Sequence, residues 1–207
     1  MTATHPAPIK PSARDRLIEA AHALVRRQGW SATSVDQLCT AAGVTKGAFF
    51  HHFSSKEALG VAAAARWTDG ARTRIFEALE ARQIADPLER LLAHIDFRVA
   101  MIDGPAEAWT CFVGTMVQEA FVTSDPLREA ANASITAYGE RLAQDVQAAI
   151  DRYGIAGGVS AESLAYHVQA VLQGAFVLGK AKSDPAIARD SVAHLKRYVE
   201  MLFGKGE

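Results

Sequence analysis

Apolar positions recur through most of the chain at the 3.6-residue spacing of helices, and no stretch alternates apolar and polar residues as a half-buried strand would. Leu17, Ala21 and Leu24, flanked by Ile18 and Val25, mark the inner face of a first helix that Ser12 and Asp15 start and Gly29 ends. Val35, Leu38, Cys39 and Ala42 form a stripe on a second, shorter helix. Ser34 and Gln37 make a capping box at its start, and Gly43 supplies the left-handed residue that closes it. Thr45 can cap a third helix. Its Phe49 and Phe53 lie one turn apart and turn inward, while Lys46, Gly47, Phe50 and His51 share the opposite face. Ser54 with Glu57 reads as another capping box, and the helix it opens runs from Ser55 through Leu59, Ala62, Ala63, Arg66, Trp67 and Ile75 to Leu79.

Beyond that helix, Asp86-Pro87, Asp125-Pro126 and Asp184-Pro185 each precede a helical apolar pattern. Asp as N-cap with Pro in the first turn is a start signal, because the carboxylate accepts from free backbone N–H groups and Pro lacks the N–H that would go unpaired. The elements predicted are Pro87 to Ile102, Pro126 to Tyr153, and Pro185 to Phe203 with Gly204 as its cap. Cys111 to Phe121 and Ala161 to Lys182 also read as helices, the latter after a Gly154–Gly158 loop. The fold class is all-α, with about nine helices and no internal repeat. Met1 to Pro11, with three prolines and no periodicity, reads as a flexible arm in which Lys10 is the one basic residue.

Composition narrows the picture. A chain of 207 residues, 49% of them hydrophobic, can bury a sizeable core. No apolar run approaches the roughly 18 residues of a membrane span, and the first residues lack an apolar signal core, so no membrane partner and a cytoplasmic location are expected. Cys39 and Cys111 lie far apart, without CxxC or His at ligand spacing, which excludes a disulfide framework and leaves no metal site. His51 and His52 diverge by about 100° on a helix, with no third ligand near. No nucleophile elbow, phosphate loop, HExxH, catalytic carboxylate pair or nucleotide fingerprint occurs, so no catalytic residue and no cofactor is expected. The rival class, an all-α enzyme or binding module carrying a three-helix head, thus lacks a motif of its own. The net charge of −1 divides unevenly: residues 1–56 hold seven Lys/Arg against three Asp/Glu, residues 57–207 fifteen against twenty. The basic end is the one suited to phosphates.

Two helices joined by a short turn containing Gly match the helix-turn-helix, whose second helix enters the DNA major groove. The stretch GWSATSVDQLCTAAGVTKGAFFHHFSSKEAL resembles, nearly position for position, the amino-terminal DNA-binding domain of TetR-family transcriptional regulators, over roughly Arg14 to Leu59. The remainder is similar to the family in helix pattern and length. The resemblance implies a DNA-binding domain over 12–58 and a helical ligand-binding and dimerisation domain over 59–207. It implies double-stranded DNA, a second copy of the chain and an unknown small-molecule effector as partners, in a repressor or, alternatively, an activator of the same fold.

Candidate residues follow. Thr45, Lys46, Gly47 and His51 are placed to read bases, Lys46 as a donor to guanine or phosphate and Gly47 by permitting close backbone approach. Phe50 stands where regulators of this kind often carry Tyr; lacking the hydroxyl, it is suited to a thymine methyl, or else to folding back on the domain. Thr33, Ser34, His52 and Lys56 are candidates for phosphate contacts. Leu164, Val168, Val171, Leu172, Ala175 and Leu178, with Leu195, Tyr198 and Leu202, form two long stripes that serve either an internal core or, by the resemblance, a four-helix interface between subunits. Trp67, Phe97, Met101, Trp109, Cys111, Phe112, Met116, Tyr138, Tyr166 and His167 are candidates to line an effector cavity, with His94, Gln118 and Gln169 as further polar groups; ordinary packing is the competing reading for each. Cys111, at a helix start, is open to two readings, a buried small hydrophobe or a thiol sensing electrophiles and oxidants.

Overall fold

A computed structural model of the chain describes residues 11–155 and 158–205. The arm over Met1 to Pro11, apart from Pro11, and part of the Gly154–Gly158 loop lie outside them. Among the described residues the fold is all-α, without strands. The helices are α1 (Ala13–Gln28), α2 (Val35–Ala42), α3 (Lys46–His52), α4 (Lys56–Ala71), α5 (Ala78–Glu80), α6 (Pro87–Ala100), α7 (Ala106–Trp109), α8 (Phe112–Ala120), α9 (Asp125–Tyr153), α10 (Ala161–Lys182) and α11 (Pro185–Leu202). A π-helical stretch, Arg72–Glu77, joins α4 to α5, so these run as one rod. The nine helices expected are all present. The addition is α7, a single turn too short to leave a periodic signal.

Local chemistry explains where the helices begin. Ser12 accepts from the Asp15 N–H, Ser34 and Gln37 form the full capping box, and Asp86 and Asp184 accept from the N–H groups of Glu89 and Ala186. Two starts are displaced by a residue. Ser55 rather than Ser54 caps α4, accepting from Ala58, and Ser124 rather than Asp125 caps α9, accepting from Leu127. Asp125 enters the first turn and pairs with Arg128 at 2.8 Å. In each case an adjacent hydroxyl can accept from an N–H three residues on, Ser55 from Ala58 and Ser124 from Leu127, so neighbouring cap residues compete for the start.

The core has two parts. One gathers Leu17, Leu38, Phe49 and Leu59 of α1 to α4 with Phe112 and Met116 of α8 and Leu127 of α9, and so runs continuously across residue 58. Trp30 belongs to it: a Cβ on Gly60 would lie 2.6 Å from Trp30 and 2.7 Å from Leu127, so only glycine lets α4 approach both. The other part unites α6, α9, α10 and α11 through residues such as Leu91, Leu142, Val168 and Val192. Leu164, Val168, Leu172, Ala175 and Leu195, expected among the residues between subunits, are buried there inside one chain, and Val171 and Leu202 pack against it. α9 and α6 already cover that face. The outward stripe of these helices is Tyr166, Val177, Leu178, Ile187, Tyr198 and Met201; Leu178 is 51% and Tyr198 41% exposed.

Candidate functional site

The first three helices form a compact head that presents α3. Phe49 is buried and Phe53 nearly so, which fixes the rotation of α3 and leaves Lys46, Gly47, Phe50 and His51 exposed on the opposite side. Thr45 is exposed and holds the start of α3, its hydroxyl accepting from Ala48 at 3.1 Å. Phe50 is 53% exposed and makes a T-shaped contact with Phe49, so it has not folded back. Lys46 Nζ lies 2.9 Å from Asp36 of α2, an exposed pair that holds the ammonium at the edge of the exposed face of α3 for little net energy.

The four residues expected at phosphates divide. Ser34 is exposed, and its oxygen accepts from Gln37 while the hydroxyl proton stays free to donate. His52 is half-buried, its ring against His51. Thr33 is 1% exposed, and its hydroxyl donates to the Gly29 carbonyl at 2.7 Å, so that side chain is structural rather than surface-facing. Lys56 also points inward, donating to the carbonyls of Trp30 and Thr33, each at 2.7 Å. Burial pushes its pKa down, with Glu119 opposing. Lys56 is therefore a brace of the loop between α1 and α2.

That loop is gripped from the other side by α8. Glu119 accepts from the backbone N–H of Trp30 at 3.2 Å and of Ser31 at 2.7 Å, while Ser124 donates to Glu57 on α4.

Behind the head lies a cavity of about 550 Å³, within the range of small-molecule sites. Trp67, Met101, Trp109, Cys111 and Tyr138 line it as expected, together with Gln169. The other five candidates do not. Phe112 and Met116 are fully buried in the first core cluster, Phe97 lies under Arg82, and Tyr166 and His167 face outward, the latter against Tyr198. Of the further polar candidates, His94 is buried just behind the wall, hydrogen-bonded to the Tyr138 hydroxyl at 2.8 Å, and Gln118 is exposed. Burial pushes His94 down to about 3, so the ring is neutral, and raises Tyr138. Cys111 caps α8, its Sγ accepting from the Gly114 N–H at 3.4 Å.

The sequence did not reveal the charged part of the wall. His22 and Arg26 on α1 line the cavity, as do Arg74 in the π-helical stretch, Arg98 on α6 and Arg141 on α9. His22 Nε2–H donates to the Ala63 carbonyl at 2.8 Å, and burial lowers its pKa. Their spacing offered one signal: His22 and Arg26 lie one turn apart, on a helix otherwise buried by its apolar face. The head's first helix is thus also a wall of the cavity, as are the end of α4, through Trp67, and the π-helical stretch that continues it.

Comparison with known proteins agrees with this architecture. Residues 17–63 match the model described as bacterial regulatory proteins, tetR family, and residues 87–195 the tetracyclin repressor-like C-terminal domain. The chain is 28% identical over 136 residues to the HTH-type transcriptional regulator LmrA of Bacillus subtilis (strain 168), covering 63% of this chain and 71% of that one. It is 29% identical over 115 residues to the HTH-type transcriptional repressor DhaR of Mycobacterium sp. (strain GP1), covering 56% of each. A TetR-family regulator from Agrobacterium tumefaciens shares the fold with a TM-score of 0.81 at 22% identity, over 93% of this chain and 98% of that one.

Proposed function

This chain belongs to the TetR family of bacterial regulatory proteins, DNA-binding transcription factors rather than enzymes, and we propose that it is a homodimeric repressor that releases its operator when a small molecule fills the cavity. The observation that carries the reading is that α1 serves two sites at once: it packs on the reading helix through the head core and walls the cavity through His22 and Arg26. Residues 12–58 would read DNA, with residues 59–207 sensing and dimerising. The exposed stripe of α10 and α11, including Leu178 and Tyr198, is the apolar face left for the second subunit. In such a dimer the two α3 helices enter successive major grooves about 34–36 Å apart on a pseudo-palindromic site. Lys46, Gly47, Phe50 and His51 approach bases, Ser34 a phosphate.

A ligand shifts such an equilibrium only by its differential affinity for the two states, and an induction of 5- to 150-fold needs about 1–3 kcal/mol. α1 touches both the cavity and the head, and the π-helical stretch continues α4, which packs on α1, so a ligand that repositions either changes the spacing of the two α3 helices. DhaR is named a repressor, which favours repression over activation. Cys111 lines the same cavity, so an electrophile would act at the same place; release unchanged in Cys111→Ser rules that route out.

Fluorescence anisotropy tests the reading, using DNA from just upstream of the chain's own gene against a scrambled control over a salt series. Tight, sequence-dependent binding with a steep salt slope is expected, weakened in Lys46→Ala with helicity intact. Equal, weak binding to both DNAs, or a Lys46→Ala variant that binds unchanged, defeats it. Transcription of the adjacent gene in a deletion strain separates repressor from activator.

A further inference from the structure

The effector cavity is apolar and aromatic in body but cationic in its interior, and we propose that it takes an organic anion: a flat apolar ligand carrying one carboxylate or sulfonate-like group. This rests on reading the cavity as the effector site, and names the chemistry of that effector.

Three arginines of the wall are without acidic partners. Among the described residues no carboxylate oxygen lies within 4.0 Å of the guanidinium groups of Arg26, Arg74 or Arg98. The acidic groups of the same wall are spent or peripheral: Glu77 pairs with Arg72, Glu80 with Arg141, Asp69 is exposed, and Glu19, exposed to solvent, supports the charge of Arg26 only from beyond 4.0 Å. Arg26 and Arg74 converge on one indole, 4.9 and 5.8 Å from the Trp67 ring centroid. Their mutual repulsion adds to burial in lowering the Arg26 pKa.

Arg98 is the sharper case. Its guanidinium lies 5.9 Å from the Tyr138 centroid and 5.8 Å from that of Phe176, and its Nε is buried without a hydrogen-bond partner. A buried donor of a charged group left unpaired is costly. A planar, forked cation held against aromatic faces with donors to spare matches a carboxylate or sulfonate bidentately. An anion there would complete Arg98, with Arg26 and Arg74 adding positive charge to the same cavity, while Trp67, Trp109 and Tyr138 cover the ligand's apolar body.

A matched pair of fluorescent probes tests this. 8-Anilinonaphthalene-1-sulfonate and N-phenyl-1-naphthylamine share one ring system and differ by the sulfonate. The folded full-length protein is expected to bind the sulfonate at least ~10-fold more tightly, as charge-assisted hydrogen bonds allow. Arg98→Met is expected to abolish most of that advantage and leave binding of the neutral probe unchanged. It should not lower the melting temperature of the ligand-free protein, since it removes an uncompensated charge; Arg26→Met should act in the same direction. Equal affinity for the two probes, or an advantage that survives both substitutions, overturns the anion preference while leaving the cavity as a ligand site. Failure of both probes to bind overturns the anion preference and the effector site together. Operator binding without ligand is read separately by anisotropy, so the DNA-reading function stands or falls on its own.

Discussion

The ammonium of Lys56 lies 4.4 Å from the centroid of the Trp30 ring and donates to the Trp30 carbonyl at 2.7 Å. One side chain thus ties the first residue of α4 to the loop that sets the entry of α2. Hydrogen bonds from a charged donor contribute roughly 1.5–3 kcal/mol. Lys56→Met is expected to lower the stability of the fold by about that amount, read from the guanidinium midpoint. It should weaken operator binding without changing the salt slope, because no phosphate contact is removed. A slope reduced by about one would instead restore Lys56 to the phosphate backbone.

Glu119 carries the matching contact from α8, accepting from Trp30 and Ser31. Glu119→Ala removes the acceptor of the part-buried Trp30 N–H, while the exposed Ser31 N–H can turn to water, so a loss of about 1 kcal/mol is expected, together with a weaker response of DNA binding to ligand. Anisotropy titrations with and without an inducer would show it. An undiminished response would mean that the coupling runs through α4 and α1 alone.

The two faces of α10 should respond oppositely to charge. Leu178→Glu, on the exposed side, is expected to give a folded monomer in light scattering. Val168→Asp, with Val168 fully buried, should prevent folding, since a core charge without a partner costs several kcal/mol. A dimer that persists in Leu178→Glu would place the interface on another surface.

Stability should fall with acid through His94. Its folded pKa is lowered to about 3 by burial first and then by the facing Arg98 and Arg141, while Tyr138 holds its Nε2 and Phe76 stacks on the ring. Between about pH 3 and 6.5 the unfolded chain binds a proton that the native state does not, so stability rises with pH across that window and is lost as pH falls. From pH 7 to 5 the expected loss is about 2 kcal/mol from this residue. His22, whose pKa is also lowered, adds in the same direction. Denaturation midpoints at both pH values, for the parent and His94→Gln, measure it; an unaltered pH dependence in the variant would show that His94 is accessible to protons.

The amino-acid sequence by itself determined where helices begin and end and which face of α3 looks outward. Those features depend on contacts within a few residues: Ser34 with Gln37, Asp86 with Glu89, Phe49 with Phe53. Where two cap residues adjoin, as at Ser54-Ser55 and Ser124-Asp125, local chemistry left a choice that packing settled. The tertiary structure alone decided what each face meets. An apolar stripe says that a surface is covered, not by what, so Leu164 and Val168 gave the same pattern whether they faced α9 or a second subunit. Lysine and arginine read as surface residues until the fold turns them inward. Lys56 became a brace because Trp30 and Thr33 present carbonyls to it. Arg26, Arg74 and Arg98, dispersed over three elements, come together only where the chain brings them to one cavity.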